Sequence, residues 1–246
     1  MHPINTILKK FGIKISRISP EPPPWRDIML AKAQIIRSAN PVIFDVGASR
    51  GNYAEGYIKM FSMCKIFCFE PLADCIVALK SRFINNSSVE THQLALSDKT
   101  GTADFFCNAL DETSSLLPFS SAAKMNWEGV DIHTTNSIPV ECITLDDFLE
   151  KNTIQQVDIL KIDVQGAEMA VLRGAEKALD SARIKVIFFE IITCDTYKNQ
   201  PPIQDYIKFL DSKNYGLVGF YDQANGPDGQ LRQLDALFAH RSLFHN

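Results

Sequence analysis

The sequence predicts an α/β fold: a mostly parallel sheet with helices on both faces, closed by an antiparallel hairpin near the C-terminus. Three observations predict it. Short apolar runs such as "VIFDV" (42–46) and "VDILKIDV" (157–164) read as strands buried on both faces. Stretches with helical spacing lie between such runs. Late in the chain, "YGLVGFYD" and "LDALFAHR" flank the turn-rich "QANGPDGQ", as the arms of a hairpin would.

Taken in order, "SPEPPPW" (19–25) is a rigid proline-rich break. It divides a basic N-terminal arm and linker, residues 1–24, from a body at 25–246. A helix is expected over 25–39, ending before Asn40-Pro41. Strand 42–46, helix 52–61, strand 65–70, helix 72–84 and strand 89–96 follow. After the turn "SDKTG", 102–106 alternates as a strand. Residues 108–139 are polar and irregular, and a loop this long inside a compact domain is often functional. Strand 140–144, helix 145–152, strand 157–164, helix 166–182, strand 184–191 and helix 202–214 complete the body.

The chain has 246 residues, 46% of them hydrophobic, with a formal net charge of −4. That length suits one α/β domain, and the charge lacks the basic footprint of a nucleic-acid binder. None of the six cysteines forms a C-x-x-C pair. They read as reduced core thiols of a cytoplasmic protein, and no compact metal-ligand set is readable. No apolar stretch approaches the ~18–20 residues of a membrane span, and the N-terminus lacks the apolar core of a signal peptide. The arm carries Lys9, Lys10, Lys14 and Arg17 among isoleucines. It reads either as a helix packed on the body or as an amphipathic element making weak contact with a membrane surface.

In an open parallel sheet, ligands sit beyond the carboxyl ends of the strands. Those ends carry Asp45 with "GASRG", Glu70-Pro71, Ser97-Asp98, Asp163 and Glu190. Gly47 permits a sharp strand-to-helix turn, and Gly51 is expected to let a ligand approach the backbone. The helix start that follows offers N–H groups to an anion. Glu70 lies 23 residues after Gly47, the distance of an acid that binds ribose hydroxyls. These features fit an adenosine cofactor. A dinucleotide site wants G-x-G-x-x-G, whereas the spacing here is G-x-x-x-G behind a carboxylate. That carboxylate repels a pyrophosphate and suits the cationic S-adenosylmethionine. A plain tight turn is the remaining alternative.

Seven phrases occur in order: "FDVGASRGNYA", "FEPLADCIVALKSRF", "LALSDKTGTADFF", "TSSL", "ITLDDFL", "ILKIDVQGAEMAVLRGAE" and "DALFAHR". Together they resemble the FkbM family of S-adenosylmethionine-dependent methyltransferases, from about residue 41 to 240. The resemblance implies a Rossmann-like class I fold with a seven-stranded sheet. It also implies O-methylation of a small-molecule or glycan acceptor, without nucleic acid. Asp45, Gly47, Ala48, Ser49, Gly51 and Asn52 match the cofactor turn. Glu70, followed by Pro71, matches the ribose acid, and Leu96, Ser97 and Asp98 match the segment beside the adenine. Asp163 matches the acid near the reacting methyl. Gln165 departs from the glutamate of many relatives.

Methyl transfer needs nucleophile and methyl held in line, and a hydroxyl nucleophile gains from a general base. Asp163 and Glu190 are the candidate bases. Asp163 could equally orient the cofactor or cap the next helix, and Glu190 could be a structural ion-pair partner. Lys161 alternates with Asp163 and is expected on the same side. His133 and Trp127 are candidate lid residues, and Tyr197 follows the fifth strand where substrate loops lie. A nicotinamide-dependent sugar oxidoreductase and a non-enzymatic binding domain are the rival functions. The first would need a pair such as Tyr-x-x-x-Lys, which the sequence lacks.

Overall fold

The computed structural model describes residues 35, 36 and 38–244. The basic arm, its considered membrane contact and most of the helix expected at 25–39 lie outside the described residues. The elements are β1 (Val42–Val46), α1 (Asn52–Met60), β2 (Lys65–Phe69), α2 (Ala73–Arg82), β3 (Val89–His92), β4 (Ala95–Leu96) and β5 (Gly101–Asn108). Then come α3 (Ala123–Asn126), β6 (Thr134–Ile143), α4 (Leu145–Lys151), β7 (Val157–Ile162), α5 (Glu168–Arg173) and α6 (Glu176–Asp180). The chain continues through β8 (Ile184–Ile192), α7 (Ile203–Ser212), β9 (Tyr215–Asn225) and β10 (Leu231–His240).

Seven strands form one sheet in the order β3-β2-β1-β7-β8-β10-β9. The first five run parallel, and β10 inserts antiparallel between β8 and β9. This is the Rossmann-like seven-stranded sheet that the resemblance implies, with the expected C-terminal hairpin. The order turns back beside β1, where β2 lies on one side and β7 on the other. Such a switch point opens a crevice at the carboxyl ends of the strands.

Alternation along β1 explains the two covered faces. Phe44 and Val46 enter one core with Leu160, Ile162 and Phe148, while Ile43 enters the other with Ile66, Ile159 and Leu79. Phe148 of α4 meets the Phe44 and Phe69 rings edge-on at 5.7 and 4.8 Å. Truncating a buried phenylalanine of this kind costs about 3–5 kcal/mol. Thr144 starts α4 by accepting the Asp147 N–H at 3.0 Å, an N-cap that fixes where this helix begins.

Three expectations are corrected. The strand expected at 89–96 is two: β3 ends at His92, and Ala95–Leu96 pairs with β6 in a separate three-stranded sheet, β4-β6-β5. The His92 ring stacks on Phe69, so no acid or hydroxyl ends β3. The irregular stretch 108–139 is partly ordered, because β6 begins at Thr134 and its polar residues pair with β5. The helix expected at 166–182 is broken at Gly174, where a Cβ would lie 2.0 Å from the Ser97 carbonyl oxygen. The six cysteines are free thiols. No helix among the described residues is long and apolar enough to cross a membrane.

Candidate active site

The site begins with the turn after β1. Gly47 has φ 71°, and a Cβ there would lie 1.8 Å from the Asp163 carbonyl oxygen. Glycine is therefore required by conformation and by space. The Gly47 and Ala48 N–H groups both donate to Phe69 O at 3.0 Å, binding the turn to β2. Gly51 also has a left-handed φ, 85°, but its Cβ would strike Phe83 and Leu79 at 2.5 and 2.7 Å. Its smallness serves the approach of α2.

Asp45 sits beneath this turn. It is fully buried and pairs with Lys161 Nζ at 3.0 Å, so its charge faces the core and not the crevice. Lys161 donates to Gly47 O at 2.8 Å and lies 3.7 Å from Asp163. Burial pushes the lysine pKa down, but Asp45 and Asp163 outweigh it and hold the ammonium above its ordinary value.

Glu70 ends β2 with both oxygens engaged. One accepts the Ser49 N–H at 3.0 Å and the other the Leu72 N–H at 2.9 Å. Burial raises its pKa, and these two donors oppose the rise. The carboxylate thereby links the glycine turn to the segment leading into α2.

The end of β7 holds the densest polar network. Gln165, at φ 57°, donates through Nε2 to Asp163 Oδ1 at 3.0 Å and to Glu190 Oε2 at 2.9 Å. Its Oε1 faces the Tyr197 hydroxyl at 3.0 Å, and that hydroxyl also reaches Thr113 O at 2.7 Å. Ser115 Oγ donates to Gln165 O at 2.7 Å. Glu168 Oε1 accepts from Val164 N and Gly166 N at 3.0 and 3.2 Å. Burial raises the Glu168 pKa to about 7 despite these donors. Glu190 is pushed well above the usual carboxylate range by burial, then by Asp163, Glu168 and Asp235.

A cavity opens where these parts meet, with about 700 Å³ of empty space including its mouth. Leu72, Leu94, Leu96, Phe105 and Leu116 make an apolar wall, to which the small sheet contributes. Glu70, Asp111, Glu112 and Asp163 also line it, and no basic side chain does so among the described residues. Arg50 stands beside the acidic lip, 2.8 Å from Asp111.

Of the residues singled out in the sequence, Gly47, Ser49, Glu70, Pro71, Leu96 and Asp163 line this cavity. Asp45 lies beneath it, and Ala48 and Gly51 face the core. Asn52 bonds Arg82 at 2.8 Å. Ser97 and Asp98 lie past the β4 end and do not line it. Glu190 meets the site through Gln165. His133 lines a separate open groove with Phe119 and Lys124, and Trp127 Nε1 bonds Thr196 at 2.7 Å. The bridging role of Gln165 and the buried anchors Glu168 and Ser115 were missed. The phrase "TSSL" held the only signal for Ser115. No group of residues suited to a metal ion occurs among the described residues.

Comparison with known proteins agrees with this architecture. Residues 45–217 match the sequence model of the methyltransferase FkbM domain. The 2-O-methyltransferase NoeI of Sinorhizobium fredii is 25% identical over 206 residues, covering 80% of this chain and 82% of that one. The hexuronic acid methyltransferase AglP of Haloferax volcanii is 25% identical over 151 residues, covering 59% of this chain and 54% of its own. Among solved structures, an rRNA methylase from Streptococcus thermophilus superposes with a TM-score of 0.52 at 11% identity, covering 89% of this chain and 98% of that one. At that identity the likeness bears on fold alone.

Proposed function

This chain belongs to the FkbM methyltransferase family, and from that premise we propose that it uses S-adenosylmethionine to methylate a hydroxyl of a sugar, glycan or related small molecule. The cavity lining carries the reading: four carboxylates, no basic side chain among the described residues, and an apolar wall. A donor with an ammonium, a sulfonium and a flat base fits such a lining. A pyrophosphate would meet Glu70 and Asp163, while Arg50 offsets Asp111 and Glu112 at the lip, and this balance weighs against a nicotinamide cofactor.

Glu70, held by two backbone N–H groups, would accept from ribose hydroxyls. Leu72, Leu96 and Phe105 would cover the base, and Asp163 with the Gly47–Ser49 turn would take the amino-acid end. When bound, the sulfonium supplies the methyl, which bonds to the acceptor oxygen as the carbon–sulfur bond breaks and its electron pair stays on sulfur. The chain must orient that oxygen and receive its proton. Asp163 borders the cavity and is the direct proton acceptor, with Glu190 behind it. General-base assistance of this kind is worth roughly 10²–10⁴-fold. The acceptor class follows the names of two relatives, a 2-O-methyltransferase and a hexuronic acid methyltransferase. The free thiols fit a reducing compartment such as the cytoplasm.

Calorimetric titration with S-adenosylmethionine, S-adenosylhomocysteine and NAD tests the cofactor. Binding of the first two alone is expected, and binding of NAD alone would overturn the reading. Release of S-adenosylhomocysteine with a panel of hexoses and hexuronic acids then tests the acceptor class.

A further inference from the structure

We propose that Gln165 is a positioning residue for methyl transfer, its side-chain amide tying Asp163 at the cavity to Glu190 behind it as one acid–base unit. The role rests on the methyltransferase reading of the same site.

An amide NH₂ has two hydrogens, and here each has its own acceptor: Asp163 Oδ1 at 3.0 Å and Glu190 Oε2 at 2.9 Å. The two acids set which way round the amide lies, because an ionised carboxylate oxygen only accepts and Nε2 alone has hydrogens to give, while the single Tyr197 hydroxyl hydrogen lies between Thr113 O at 2.7 Å and Gln165 Oε1 at 3.0 Å. Ser115 fixes the backbone of the same residue through its carbonyl. Gln165 is thus held from two sides while its nitrogen serves two acids.

The groups facing those acids show what the amide does. Glu190 faces Asp163 at the β7 end, Glu168 on α5 and Asp235 on β10, with the Tyr197 phenol beside it. All three carboxylates oppose its ionisation. The buried cation of the network, Lys161, lies 3.0 Å from Asp45 and 3.7 Å from Asp163. The Gln165 N–H favours the charged form of Glu190 and pulls its titration down. Remove that donor, and the pair separates electrostatically as well as geometrically.

The test is a carboxyl-¹³C NMR titration of the full chain labelled at glutamate, with Glu190→Gln identifying the Glu190 resonance. In Gln165→Leu the Glu190 midpoint is expected to rise by about one pH unit, the loss of one charge-assisted donor. Gln165→Glu keeps the volume, which covers the case in which the leucine variant does not fold. It should raise the midpoint at least as far, because it adds a carboxyl whose protonated form has one hydrogen to give where the amide has two. A Glu190 midpoint within about 0.3 unit of wild type in a folded variant overturns the proposal, since a purely structural glutamine would leave it there. S-adenosylmethionine titration of the wild type runs alongside. No binding there sinks the functional reading, and with it the role in methyl transfer, whatever the NMR midpoints show.

Discussion

Lys161 Nζ stands 3.0 Å from Asp45 Oδ1, and the two side chains are 2% and 0% exposed. The same ammonium donates to Gly47 O and lies 4.9 Å from the Tyr53 ring centre. One buried cation therefore joins the ends of β1 and β7 directly under the glycine turn. The acid in "VIFDVG" supports the turn from inside, and the acids that meet the crevice are others.

Asp45→Ala is expected to lower stability by about 3–5 kcal/mol, because it leaves a buried ammonium short of its closest counter-charge. Asp45→Asn combined with Lys161→Met should cost less than the two single changes added. Urea unfolding measures both. Wild-type stability in Asp45→Ala, together with lost S-adenosylmethionine binding, would instead make Asp45 a ligand contact.

Gly47→Ala combines a left-handed φ, worth about 1–3 kcal/mol of strain for a non-glycine residue, with a Cβ that would meet the Asp163 carbonyl oxygen at 1.8 Å. The opposing atom is backbone, so β7 or the turn must move. A large fall in melting temperature is expected, with weaker cofactor binding. A variant that melts within about 2 °C of wild type contradicts the contact.

Glu70→Ala should weaken S-adenosylmethionine binding about 10- to 100-fold, the worth of one or two charge-assisted hydrogen bonds. S-adenosylhomocysteine shares the ribose and should lose affinity to the same extent. Calorimetry on both ligands checks this; equal affinity in variant and wild type removes Glu70 from the binding site.

Glu168 gives a pH dependence with a definite sign. Its pKa rises from an ordinary 4.5 to about 7 on folding, so the native state binds the proton more tightly than the unfolded chain. The stability linked to it is full below about 4.5 and is lost as pH rises through about 7. The loss amounts to about 3 kcal/mol. Glu70 and Glu190 are raised as well and act in the same direction. Glu168→Gln keeps an acceptor for Val164 N and Gly166 N, and should flatten the fall in melting temperature between pH 5 and 8. An unchanged slope would mean that Glu168 is ionised in the folded protein throughout that range.

The sheet was legible because its strands are nearly all apolar and bounded by turns, as in "VIFDV" and "VIFFEI". The small second sheet was not. Its β6 strand carries "TTNSIPV", whose exposed polar residues look like a loop until β5 is seen beside them. Likewise "LAL" hides a change of sheet between His92 and Ala95. Glu70 and Asp163 were readable as cavity acids because each ends a strand. Asp45 stands one residue before the end of its strand, and the pleat turns it into the core. Gln165 gave only the sign of a departure from a pattern, because its partners come from β8, from the loop after it and from a distant segment at 113–115.

Thr113 and Ser115 reach Gln165 from outside the main sheet, one through the Tyr197 hydroxyl and one through Ser115 Oγ. The segment that carries them also supplies Glu112, Ser114 and Leu116 to the cavity wall. Any movement of that segment large enough to break the two bonds loosens the grip on Asp163 and Glu190 in the same stroke. Ligand exchange that moves it would dismantle and rebuild the proton acceptor once per cycle. The lifetime of the closed wall and the readiness of the acid pair are then one variable rather than two, and a substitution that hastens exchange would shorten the time the chemistry has to occur.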